Sequence, residues 1–103
     1  MINYQDKTLA QAMSMTQNML ELAKTESWDE VAEIEVIRQK LIFDNLEVNQ
    51  NIDPSSQLGV QIKGILTIDK EIQLLVNSAR VSLRDELLDM SRSKNQVSAY
   101  QQP

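Results

Sequence analysis

The side chains that most often carry out catalysis are absent from this chain of 103 residues or lie outside any cleft. The sequence contains no histidine and no cysteine, so it lacks an imidazole base, a thiolate nucleophile and the usual nitrogen and sulfur ligands of zinc. Carboxylates do recur at the spacing of one helix face, in the pairs Glu30 with Glu33 and Asp85 with Asp89. These pairs lie next to a turn and on a predicted surface, so we interpret them as solvated charge.

A phosphate-binding loop is also absent from the sequence. Gly59 and Gly64 lie five positions apart, but the Lys-Ser or Lys-Thr pair that completes the G-x-x-x-x-G-K-[ST] motif does not follow them. We therefore expect no enzymatic activity, no metal site and no cofactor.

Charge is distributed unevenly along the chain, whose net charge is −5. Residues 1–53 carry ten acidic and four basic side chains, a net of −6, and residues 54–103 carry five acidic and six basic ones, a net of +1. Nucleic-acid binding needs a basic stripe that neutralises phosphates, so we expect no direct nucleic-acid partner. No secretory signal and no run of about 18 apolar residues is visible, so we expect a cytoplasmic protein without a membrane span.

Composition and apolar spacing predict an all-α protein. Glycine and proline occur only twice each, and helix-favouring residues are plentiful. Apolar side chains recur every three or four residues, and the polar breaks between these segments predict helices at about 8–24, 28–48 and 57–91. We expect a small antiparallel bundle over residues 1–91 with a long third helix. The polar tail, 92–103, is predicted to be either disordered or a weak docking helix.

The starts of the second and third helices carry local signals. Ser27-Trp28-Asp29-Glu30 has the S-x-x-E form of a capping box, in which the serine hydroxyl accepts a hydrogen bond from the Glu30 amide. The second helix ends before NQNIDPSSQ, whose Asn, Asp-Pro and Ser residues predict a loop and a new N-cap.

Two of the predicted helices carry more apolar surface than one core stripe needs. The second has apolar residues on two sides, and Val36 and Phe43 lie on the second of them. The third extends past the reach of the second, and on its outer side Leu74, Val81 and Leu88 recur at intervals of seven. This row of three residues, called the seam below, predicts a second contact. A client helix in a groove, a homodimer and wrongly assigned core positions are the alternative explanations.

Two segments resemble the FliT family of flagellar export chaperones. The segment SWDEVAEIEVIRQKLIFDNL, residues 27–46, has the family's W-(D/E) start, its E-x-x-R step and its apolar spacing. The segment ILTIDKEIQLLVNSARVSLRDEL, residues 65–87, resembles the family's long third helix. The matching residues of the first segment are Trp28, Asp29, Val31, Ile34, Glu35, Arg38, Leu41 and Ile42.

The resemblance implies a cytoplasmic type III secretion chaperone that binds the C-terminal part of the filament cap protein before export. It also implies contacts with the export ATPase complex and, in some bacteria, with the flagellar master transcriptional regulator. The implied fold is a small helical bundle whose C-terminal segment can mask part of the binding surface.

We place client binding on the third helix, with the seam at its centre. Ile72 and Leu75 lie nearer the predicted core, so they can join only if the bundle loosens. In the free protein we expect Val97 and Tyr100 to cover part of the surface. The alternative function is a structural helical-bundle or coiled-coil dimer subunit without an export role. The candidate client-binding residues are Ile72, Leu74, Leu75, Ala79, Val81 and Leu88.

Overall fold

The computed structural model describes the backbone of residues 4–46 and 52–101. These residues form helices and the turns between them, and no strand occurs within the two ranges. The prediction of an all-α helical bundle is therefore confirmed. The helices are α1, Tyr4–Lys24; α2, Trp28–Asn45; and α3, Gln57–Gln101.

The helix bounds differ from the predicted ones at three ends. α1 begins earlier than expected, at Tyr4, and α2 ends earlier, at Asn45. α3 begins where expected but continues past residue 91, to Gln101. Residues 92–101 contain neither glycine nor proline, so their sequence holds no residue that would break the helix.

The predicted capping box is not formed at the turn between α1 and α2, where α2 begins. The Ser27 amide donates to the Leu22 carbonyl over 2.9 Å, which closes α1 in a Schellman motif with Glu26 in the left-handed conformation at a φ of 59°. Ser27 is the N-cap of α2, but its side chain makes no capping hydrogen bond. Its hydroxyl lies 3.1 Å from that of Thr25 instead. The capping-box prediction is wrong because the end of α1 already engages this serine.

The segment before α3 forms the predicted loop and supplies the predicted N-cap. Asp53 Oδ1 accepts hydrogen bonds from the amide and the hydroxyl of Ser55, at 3.0 and 2.8 Å. The first of these bonds is the main reason why the pKa of Asp53 lies below its ordinary value. Ser56 Oγ accepts a hydrogen bond from the Gly59 amide at 3.1 Å, which satisfies a free amide of the first turn of α3.

Both glycines of α3 lie against other parts of the chain, but with different neighbours. A Cβ atom at Gly59 would overlap the carbonyl oxygen of Asp53, and it would lie 2.9 Å from backbone atoms of Pro54. A Cβ atom at Gly64 would lie 2.8 Å from Met13 Cε, the end of a flexible side chain. Only the first position therefore requires glycine.

The structure divides into two units, Met1–Gln73 and Leu74–Pro103. The core of the first unit includes Leu9 and Ala12 of α1, which cluster with Ile65 of α3. Side chains from all three helices pack against this cluster, so the first unit is a three-helix bundle. These partly buried side chains are Met13, Ile42, Leu46, Leu58 and Ile62.

The two glycines provide a matched test of this packing. We expect Gly59→Ala to lower the free energy of unfolding by about 2 kcal/mol, because the loop backbone must move to admit the methyl group. Gly64→Ala should change it by less than about 1 kcal/mol, since Met13 can rotate away and alanine favours helix. Urea denaturation followed by circular dichroism measures both values. Equal losses in the two variants would contradict the close loop packing at Gly59.

Candidate functional site

A buried cation joins the three helices of the first unit. Arg38 Nη1 of α2 donates to Thr16 Oγ1 of α1 at 2.8 Å and to Asp69 Oδ1 of α3 at 2.7 Å. The Thr16 hydroxyl in turn donates to the Ala12 carbonyl at 2.7 Å. The Arg38 side chain is 11% exposed and that of Asp69 is 30% exposed, so the ion pair is largely shielded from water. A shielded charge needs its partners in place, so these bonds fix the three helices relative to each other.

The ion pair explains an interruption in the sequence pattern. Asp69 lies within the apolar stripe of α3, where a carboxylate without a partner would be costly. Its partner lies 31 residues away on another helix, and no spacing rule relates two such positions. The pair was therefore not predicted from the sequence, although both residues fall within the segments that resemble the family.

A groove of about 810 Å³ lies beside this ion pair, between α2 and the start of α3. Most of its lining is apolar and comes from both helices. Val36, Phe43 and Leu66 line it and are 67, 76 and 54% exposed, so their side chains are available to a partner. The polar side chains of the lining are Arg38, Gln39, Lys40 and Asp69.

This groove accounts for the second apolar side of α2. Val36 and Phe43 lie two helical turns apart, and neither is covered by another described part of the chain. Both residues were noted in the sequence as surplus apolar surface, but their position beside α3 was not predicted. The sequence feature that indicated this surface was an apolar face on α2 wider than one core stripe needs.

The six predicted client-binding residues have different exposures. Leu74, Val81 and Leu88, which form the seam, are 69, 49 and 49% exposed. Leu75 and Ala79 are half-buried, and Ile72 is buried in the first unit. The groove belongs to the first unit and the seam to the second. The side chains of Val97 and Tyr100 lie outside the described part of the structure.

Apolar exposure in the second unit extends beyond the seam. Leu83, Leu87 and Met90 are each more than half exposed. They recur every three or four residues, so they form a second row along α3, on a different side from the seam.

Clusters of metal-ligating side chains and membrane-spanning helices do not occur in residues 4–46 and 52–101. Within these ranges no group of three or more His, Cys, Asp or Glu side chains is arranged to hold a metal ion. No described helix is long and apolar enough to cross a membrane.

A family model described as flagellar protein FliT matches residues 6–102, which is nearly the whole chain. No curated protein and no solved structure matches the chain significantly.

We expect Arg38→Met to lower the free energy of unfolding by about 3 kcal/mol, because it leaves the Asp69 carboxylate and the Thr16 hydroxyl shielded without their partner. Urea denaturation followed by circular dichroism measures the loss. Lys70→Met is the matched control, since Lys70 is exposed and makes no ion pair with any described residue. It should change the free energy of unfolding by less than about 0.5 kcal/mol. Similar values for the two variants would mean that the network does not hold the helices together.

Proposed function

The chain belongs to the FliT family of flagellar proteins, which are export chaperones, and we propose that it binds the C-terminal region of the filament cap protein before export. The client segment is an amphipathic helix in this proposal. Such a helix buries its apolar side chains in an apolar groove or against an apolar row.

The observation that carries this proposal is the amount of apolar surface that the described chain leaves exposed. Single exposed apolar side chains are common on soluble proteins. An ordered row of them along one helix indicates a contact surface instead. The seam residues Leu74, Val81 and Leu88 form one such row on α3. We propose that the seam is the centre of the client-binding surface, and that Leu75 and Ala79 lie at its edge.

The groove of the first unit supports the same function. Most of its apolar side chains come from α2 and α3, and the most exposed of them, Phe43, is 76% exposed. A client helix that entered the groove would remove these side chains from water, which is the main source of free energy for such an association.

Three further roles follow from the family and extend the proposal. The chain contacts the export ATPase complex, and it contacts a flagellar transcriptional regulator. We also propose that Val97 and Tyr100 mask part of the client surface in the free protein, which requires the end of α3 to leave the continuous helix and fold back along it. We place all of these contacts in the cytoplasm. A structural dimer that buries the seam permanently is the alternative.

Aspartate substitutions in the seam test the client surface. We expect Val81→Asp and Leu88→Asp each to weaken binding of a C-terminal cap-protein fragment by about tenfold or more, because each places an unpaired charge in an apolar contact. Both residues are about half exposed, so the melting temperature should stay close to that of the unmodified chain. Isothermal titration calorimetry measures the affinity.

Ser82→Asp is the matched control for the seam variants. It introduces the same charge next to Val81, but about 100° away around the helix. Binding should then be close to that of the unmodified chain. Equal binding by all three variants would contradict the seam as client surface. Loss of helicity in Val81→Asp and Leu88→Asp would place these residues in a permanent interface and favour the dimer.

A serine substitution tests the groove separately. We expect Phe43→Ser to weaken binding of the cap-protein fragment by about fivefold or more, since it removes an exposed aromatic anchor. Val60→Ser is the control, because Val60 is 58% exposed but does not line the groove. The same calorimetric titration applies. If Val60→Ser weakens binding as much as Phe43→Ser, the groove has no particular part in binding.

A further inference from the structure

We propose that the groove of the first unit selects a client segment with an acidic side chain on its apolar face, and that the two cations of the lining, Arg38 and Lys40, favour this carboxylate. The inference rests on the proposed function, because the occupant is taken to be part of the client. It goes further by stating which chemistry the groove selects.

Arg38 has hydrogen-bond donors that its bonds to Thr16 and Asp69 do not use. An arginine side chain has five N–H donors, and two of them are on Nη1. Both Nη1 donors are used, by Thr16 Oγ1 and Asp69 Oδ1. The three donors on Nε and Nη2 make no hydrogen bond to a described residue. Because Arg38 also lines the groove, these donors suit a carboxylate from a partner.

Lys40 adds a second cation to the same lining. It is exposed, and it makes no ion pair with any described residue. Asp44 lies one turn further along α2, but it neither pairs with Lys40 nor lines the groove. The Lys40 ammonium is therefore available to a client.

The charge of the groove is opposite to that of the whole chain. Its ionisable side chains are two cations and one carboxylate, a net of +1, whereas the protein carries −5. The surrounding lining is apolar, so an ionic contact formed there is screened less than one in open water. A client with an acidic residue on its apolar face gains this contact, and one with a basic residue there is repelled.

Three designed helical peptides test the selection without assuming the cap protein. They share one Leu- and Phe-rich face and differ at one position of that face, which is Glu, Gln or Lys. We expect the full chain to bind the Glu peptide about fivefold more tightly than the Gln peptide, and the Lys peptide most weakly. Fluorescence anisotropy of labelled peptides measures the three affinities.

Variants of the chain then locate the effect. Lys40→Gln should reduce the preference for the Glu peptide over the Gln peptide by about threefold. Phe43→Ser should weaken the binding of all three peptides. Lys70→Gln should leave every value unchanged, because Lys70 is an exposed cation outside the groove. Equal affinities for the three peptides, or an unchanged preference in Lys40→Gln, would overturn the inference. Failure of all three peptides to bind would overturn it too. If the chain forms a dimer and Phe43→Ser dissociates that dimer, the groove binds a second copy of the chain instead of a client, which also overturns the inference.

The cap-protein fragment separates this inference from the proposed function. If the fragment binds and Lys40→Gln weakens its binding by about threefold, both the proposed function and this inference are supported. A fragment that binds with an affinity independent of Lys40 leaves the proposed function intact and overturns the inference. If the peptides follow the expected order but the fragment does not bind, the groove selects acidic helices and the proposed client is wrong.

Discussion

The arrangement of the helical bundle depends on one buried guanidinium. Arg38 can satisfy its charge only when α1 supplies the Thr16 hydroxyl and α3 supplies the Asp69 carboxylate. A bundle of this size buries a modest apolar core, which by itself tolerates several helix arrangements. A hydrogen-bonded ion pair permits only one of these helix arrangements, because a shift of α3 along α2 would leave a shielded charge without a partner. Arg38 and Asp69 also line the groove, so the interaction that holds the helices also sets the shape of the groove.

The lengths of the helices account for the uncovered apolar surface. α1 and α2 have 21 and 18 residues, whereas α3 has 45. A short helix can cover only the part of a long one that lies beside it, and Ile72 is the last buried residue of α3 among those described up to Lys94. Beyond that residue every large apolar side chain up to Lys94 is partly or largely exposed. A protein that binds the apolar face of another segment needs this kind of surface.

Sequence patterns predicted the features that depend on neighbouring residues. The three helices, the breaks between them and the new N-cap before α3 follow from apolar spacing and from turn residues such as Asp53-Pro54. The family was also recognised from local segments. The capping box failed because the Ser27 amide already donates to the Leu22 carbonyl and the Ser27 hydroxyl is turned toward Thr25, and the S-x-x-E pattern reveals neither. The groove and the ion pair of Arg38 with Asp69 depend on residues from different helices, so only the folded structure brings them together.

The most direct test of the account is the mass of the chain in solution, measured by light scattering during size-exclusion chromatography. The full chain would be run alone and with a C-terminal fragment of a filament cap protein. An export chaperone with an open apolar surface should form a complex of one chain and one fragment. A homodimer whose mass does not change when the fragment is added would contradict the account, because the apolar surface would then already be buried by a second copy.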